Sequence, residues 1–161
     1  MNCVFQAEQL TKRFNGKTVL DGIDLEIDGP AIIGLLGRNG CGKTTLMRHI
    51  TGLYLPTEGR ASTLGKPTGE LAQEQLNRIG FVPQEVQLLD WMTVEQHLEY
   101  VSSFYPAWDL ERQARLLERL ELDKDDLVGT LSSGNLQKLA IILAVCHHPD
   151  FLVLDLSLIH I

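Results

Sequence analysis

The sequence predicts an α/β domain with a mainly parallel core sheet, an antiparallel β region at its N-terminus and an inserted helical subdomain. Three observations carry this. "AIIGLLG" (31–37) is apolar on both faces, as a central strand is, and runs through a glycine-rich loop into "KTTLMRHITGL", which has helical spacing. "FLVLD" (151–155) is a second buried strand, ending on a carboxylate. Between them, from about residue 86 to 148, the pattern changes from strand to helix.

Taken in order, "CVFQAEQL" and "VLDGIDLEI" alternate apolar and polar residues as half-exposed strands do, and Asn15–Gly16 supplies turn chemistry between them. The helix after the glycine loop places Leu46, Ile50 and Leu53 along one side. "RIGFVPQ" is a short strand ended by Pro83. Thr93 and Gln96 form a capping box opening a helix with Val94, Leu98, Val101 and Tyr105 on one face, and Pro106 stops it. Asp109 caps the next helix, whose inner stripe is read as Leu110, Ala114, Leu117 and Leu120, with Glu111, Arg112, Arg115 and Glu118 in water. A last helix opens near Gly134 and leads back to the sheet.

A chain of 161 residues can bury one real core. Its formal charge of −7 argues against a broad nucleic-acid surface, so any anion must be held locally, and no nucleic-acid partner is expected. "LAIILAVC" is far short of the roughly 18 apolar residues that span a bilayer. Three cysteines without metal-ligand spacing, Cys3, Cys41 and Cys146, fit a reducing compartment.

"GRNGCGKTT" matches G-x-x-x-x-G-K-[ST], with Gly37, Gly42, Lys43 and Thr44 in the defining places. Peptide N–H groups of Arg38, Asn39, Gly40, Cys41 and Thr45 complete a cradle for phosphates, with glycine where a Cβ would obstruct. Lys43 adds a cation at the β and γ oxygens, the helix N-terminus adds partial positive charge, and Thr44 offers a hydroxyl to Mg²⁺. Each charge-assisted hydrogen bond contributes about 1.5–3 kcal/mol, enough in combination to hold a triphosphate on an acidic protein. Asp155 then reads as the second Mg²⁺-site carboxylate. Cys41, beside the phosphates and at a helix start, reads either as a small side chain that fills the loop or as a thiol whose alkylation blocks nucleotide binding and which bound nucleotide protects.

"LSSGNLQK" adds residues that specify more than a phosphate loop. Leu131–Asn135 resemble the LSGGQ signature of ABC-family ATPases, and the order of motifs from Phe5 to Asp155 is similar to that family's. The resemblance implies a phosphate-loop NTPase fold, ATP and Mg²⁺ as ligands, Phe14 as the adenine-stacking aromatic, and Gln84 as the glutamine that meets Mg²⁺ and the attacking water. Catalytic roles thereby fall to Lys43, Gln84 and Asp155. It also implies a head-to-tail dimer in which Ser132, Ser133, Gly134 and Asn135 of one subunit close over ATP held by another. Ser133 and Asn135 depart from a glycine and the glutamine of the family's signature, and as residues alone "SSGN" reads first as a helix cap, which is compatible with the functional reading. The implied partners are a second ABC ATP-binding subunit and integral membrane permease subunits, and the implied place is the cytoplasmic face of the membrane. "TVEQHLEYVSSFYPAWD" resembles the bacterial ABC-2-type exporters. A soluble ABC ATPase of translation or DNA repair, and an inactive ATP-binding fragment, remain as alternatives.

Leu156 stands where the family places its catalytic glutamate, and "LSLIHI" (156–161) matches the translation of a transposon-end adapter used in preparing sequencing libraries. The expectation is an incomplete ABC ATP-binding domain over 1–155, C-terminally truncated, followed by a non-native tail. His49 and His97 are read as surface helix residues, His147 and His148 as a helix C-terminus, and Trp91 and Trp108 as packing anchors.

Overall fold

β1 (Cys3–Phe14) and β2 (Lys17–Asp28) form an antiparallel hairpin across Asn15 and Gly16. Both turn residues take positive φ, 50° and 80°, the geometry that matches the twist of the flanking strands. β3 (Glu58–Thr63) pairs antiparallel with the other edge of β1 and with the short β4 (Lys66–Pro67), giving the order β2-β1-β3-β4. The sheet thus has the predicted antiparallel character. The computed structural model describes residues 3–155, so the proposed tail lies outside the described residues. They divide into two compact units, one ending at Leu76 and the other beginning at Asn77.

In the first unit, Phe5, Leu10, Leu20 and Ala61 of the sheet are buried together with Leu46 and Ile50 of α1 (Lys43–Ile50). The buried Thr63 hydroxyl donates to the Ile50 carbonyl at 2.7 Å, tying β3 to the end of α1. A short α2 (Gln73–Leu76) closes the unit. Two expectations fail here. α1 ends at Ile50, leaving Leu53 outside the helix and 60 % exposed. More important, 31–37 forms no strand: it pairs with nothing among the described residues, and Ile32, Ile33 and Leu36 are exposed. Apolarity identifies a segment able to sit inside a sheet, but a strand exists only through a ladder partner, and periodicity does not supply one.

In the second unit, β5 (Ile79–Val82) and β6 (Phe151–Leu154) pair parallel in register from Ile79↔Phe151 to Val82↔Leu154. Parallel strands need a crossover, and α3 (Val94–Ser102), α4 (Leu110–Arg119) and α5 (Ser133–Val145) lie within it. The capping box at Thr93 forms with both bonds, and Asp109 caps α4 by accepting from the Arg112 N–H at 2.8 Å. Val94, Leu98, Leu122, Val128, Leu139, Ile142 and Cys146 make one core, against which Trp108 packs.

The α4 stripe is phased differently from the prediction. Leu116, Leu117 and Leu120 meet the core, which carries Leu110 and Ala114 off the packed face and makes Arg112 half-buried. Trp91 is 67 % exposed in the turn before α3 and, among the described residues, is not one of those packed on this core. His49 and His97 are buried rather than superficial, at 0 % and 3 % exposure. Both lie on helices beside buried leucines, so a helix face that packs takes its histidine with it.

These two histidines and His147 each keep a buried ring nitrogen without a hydrogen-bond partner among the described residues. Burial pushes the pKa of all three below the usual value. Their unfolded forms therefore bind protons, near pH 6.5, that the folded forms refuse. Stability is fully present above that pH and falls as the pH drops toward the folded values, by up to about 1.4 kcal/mol per pH unit for each group. The urea midpoint should fall between pH 7.5 and 5.5, and His97→Gln should flatten the slope. An identical midpoint at both pH values would contradict this.

Candidate functional site

The phosphate-loop residues lie in the first unit. Gly40 and Gly42 take φ of 78° and 99°, the left-handed region that favours glycine. At Gly42 there is also no room: a Cβ would lie 2.8 Å from Leu20 Cδ2 and 3.0 Å from the Val19 carbonyl, so the start of β2 presses on the loop. At Gly37 a Cβ would meet Cys41 Sγ at 2.8 Å, which shows Asn39, Gly40 and Cys41 curling back over the loop's entry. Cys41 itself is exposed.

Gly42 is the N-cap of α1 and no side chain caps it; the first intrahelical bond there is Leu46 N–H to the Gly42 carbonyl at 2.8 Å. The amides of Lys43, Thr44 and Thr45 thus have no intrahelical acceptor. The first turn carries no acid, and the basic residues Arg48 and His49 sit in the last turn, in accord with the helix dipole. Lys43 Nζ donates to the carbonyls of Gly37 at 2.7 Å and Arg38 at 3.0 Å, so the ammonium lies inside the curl of the loop. Such an arrangement of N–H groups, dipole and cation attracts an oxyanion.

Phe14 ends β1, 37 % exposed, and its ring meets Tyr54 edge to face at 5.3 Å. Lys12 Nζ lies 5.2 Å from the Phe14 centroid and 5.5 Å from that of Tyr54, and is held by the Leu55 carbonyl at 2.7 Å. Arg48 of α1 donates to the Tyr54 hydroxyl at 2.7 Å, so α1 fixes Phe14 through Tyr54. Sequence reading missed this support. Lys12, two residues before Phe14 in one strand, was the available signal; Tyr54, in a loop, gave none.

In the second unit, Gln84 and Asp155 leave the same end of one parallel pair. Asp155 follows β6 directly, is 6 % exposed, and its N–H donates to the Val82 carbonyl at 2.9 Å. Gln84, exposed, stands two residues beyond Val82. This is the carboxyl end of parallel strands, where open α/β sheets bind ligands. Ser132 caps α5, accepting from the Asn135 N–H at 3.2 Å, with Ser133 and Gly134 exposed in the first turn. A Cβ on Gly134 would meet nothing nearer than Ser132 Oγ at 3.9 Å. The chain's own packing therefore does not require glycine there. His147 and His148 lie just past α5, with His147 stacked on Tyr105 at 4.2 Å.

Comparison with known proteins accords with these features. The chain is 38 % identical over 153 residues to YhaQ, an uncharacterized ABC transporter ATP-binding protein of Bacillus subtilis, covering 92 % of this chain and 50 % of that one. It is 34 % identical over 160 residues to the Nod factor export ATP-binding protein I of Cupriavidus metallidurans, covering 96 % and 53 %. It thus spans about half the length of these relatives. A solved ATP-binding subunit of an ABC transporter superposes with a TM-score of 0.81 at 25 % identity, covering 94 % of this chain and 65 % of that one. With the fold of a phosphate-loop NTPase and a match to the ABC transporter family model over residues 20–156, the chain belongs to the ABC transporter family as an ATP-binding domain.

Proposed function

We propose that this chain is the nucleotide-binding part of the energy-coupling ATPase subunit of an ABC transporter, in which ATP binding closes a dimer and hydrolysis reopens it. The observation that carries this reading is the loop from Gly37 to Thr45, with its left-handed glycines, uncapped α1 amides and enclosed Lys43. Arg38, Asn39, Gly40, Cys41 and Gly42 line the phosphates with their backbone, Lys43 contacts the β and γ oxygens, and Phe14 stacks on the base. Thr44, Gln84 and Asp155 hold Mg²⁺. Their donors are hard oxygens, and the burial of the Asp155 carboxylate at a strand end suits a cation that replaces lost hydration. When bound, Mg²⁺ offsets negative charge on the transferring phosphate.

Ser132, Ser133, Gly134 and Asn135 serve the ATP of a second such subunit; the open surface over Gly134 supports close approach from outside. The remaining partners are membrane permease subunits, which dock the domain on the cytoplasmic face; among the described residues no helix is long and apolar enough to cross a membrane itself. The ABC-2 export branch is supported by the segment from Thr93 to Asp109 and by export in the name of the Cupriavidus relative. The incomplete domain spans 1–155, with a helical subdomain at about 86–148 and a non-native tail at 156–161. The 161-residue chain, with Leu156 in place of the glutamate that polarises water, binds ATP·Mg²⁺ and hydrolyses it negligibly, because that base is worth about 10²–10⁴ in rate. Titration with a fluorescent ATP analogue and a phosphate-release assay test both parts. Absence of binding would overturn the nucleotide reading, and robust turnover abolished by Lys43→Ala would overturn the inactivity.

A further inference from the structure

α4 carries a cationic concavity that plays no part in the reading above. Asp109, Arg112, Arg115, Leu116, Arg119 and His148 line a depression of about 380 Å³. The arginines are spaced three and four residues apart, which puts them on one side of the helix, whereas Glu111 and Glu118 form a separate row seven apart. Three guanidinium groups face a single carboxylate, on a chain whose formal charge is −7. Like charges gathered against the trend of the whole molecule repel one another unless an anion lies between them.

The single carboxylate is already committed. Asp109 Oδ1 accepts from the Arg112 N–H at 2.8 Å, and Oδ2 faces His148 Nε2 at 2.9 Å. The Arg112 guanidinium lies 3.1 Å from His148 Nδ1. Because a guanidinium only donates, Nδ1 is the acceptor in this contact, which leaves Nε2 to face Asp109 as donor. His148 reaches this place through a left-handed φ of 55° just beyond α5. The relay from Asp109 through His148 to Arg112 fixes one guanidinium at the edge of the depression. Among the described residues, Arg115 and Arg119 make no ion pair.

We propose that this depression binds a phosphate-bearing anion, with Arg112 as its fixed wall and Arg115 and Arg119 as movable donors. The surplus of two positive charges matches a phosphomonoester dianion, and guanidinium forks match its oxygens in pairs. The volume admits the phosphate with a small organic remainder. The same chemistry is offered by a soluble phosphomonoester and by the headgroup of phosphatidic acid.

The test separates this site from the phosphate loop. In the 161-residue chain bearing Lys43→Ala, inorganic phosphate is titrated at constant ionic strength while the Nε–Hε resonances of the arginines are followed by NMR. A parallel arm measures co-sedimentation with phosphatidylcholine vesicles with and without phosphatidic acid. The double variant Arg115→Gln, Arg119→Gln alters only exposed side chains, so its far-ultraviolet circular dichroism should match the parent. Saturable shifts at Arg112, Arg115 and Arg119 in the parent, with the affinity read at Arg112 weakened at least tenfold in the double variant, support a soluble phosphomonoester. Phosphatidic-acid-dependent sedimentation lost in the double variant supports the lipid source. Binding in neither arm, or binding unchanged by the double variant, overturns the proposal. ATP binding by the double variant in the Lys43 background restored to lysine should equal the parent's, so failure of the nucleotide site would register independently.

Discussion

Lys43→Ala lowers ATP affinity by about 10²-fold or more while moving the thermal midpoint little. The ammonium has two protein partners, the carbonyls of Gly37 and Arg38, both in its own loop. Its removal leaves no buried charge and opens no cavity in the core built from Phe5, Leu10, Leu46 and Ile50. With nucleotide present the same ammonium would turn to phosphate oxygens, where each charge-assisted hydrogen bond is worth about 1.5–3 kcal/mol. Two such bonds correspond to at least a hundredfold in dissociation constant. Lys43→Arg should recover little, since the guanidinium fork is larger and planar and the curl closed by Cys41 is narrow. Titration of each variant beside a melting curve checks the pairing of large affinity loss with small stability loss. Parental affinity for Lys43→Ala would remove the loop from the nucleotide site.

What could be read from the sequence, and what could not, follows from the range of the forces involved. Local chemistry was legible: the Asn15–Gly16 turn, the Thr93 capping box, the Asp109 and Ser132 caps and the positive-φ glycines each depend on a few neighbouring residues. The strand 151–154 was also legible, because four apolar residues before a carboxylate are hard to place elsewhere. The errors arose where a partner distant in sequence decides. Segment 31–37 has the composition of a central strand without a ladder partner among the described residues. The phase of α4 is set by the core it packs on, drawn from α3, α5 and the segment between α4 and α5, which takes Leu116, Leu117 and Leu120 and leaves Ala114 exposed. Burial of His49 and His97 was masked by their polar label. The Tyr54 support of Phe14 lay forty residues away along the chain, and only the fold brings the two rings together.

Gly80→Ala should be the most destabilising single methyl addition in the second unit. An added Cβ would lie 2.3 Å from the Ala144 carbonyl oxygen, 2.8 Å from Leu152 Cδ1 and 3.1 Å from Pro149 Cγ. The leucine can rotate, but the carbonyl belongs to the backbone of α5 and cannot. Relief requires α5 to lift from β5, separating Val82 from Ala140 and Ala144, the small residues that permit the close approach. The cost is that of overpacking with loss of the surrounding contacts, about 3 kcal/mol or more. The effect should extend to the site, because the same β5–β6 ladder delivers Gln84 and Asp155 to one end. Gly134→Ala is the matched comparison. With open space around it, the same methyl should change stability by less than about 0.5 kcal/mol, while a mutation there impairs any partner's close approach. Urea unfolding of the two variants, with amide exchange of β5 and β6 as a local reporter, distinguishes them. Equal midpoints for Gly80→Ala and the parent would mean that β5 and α5 are not held at this distance in solution.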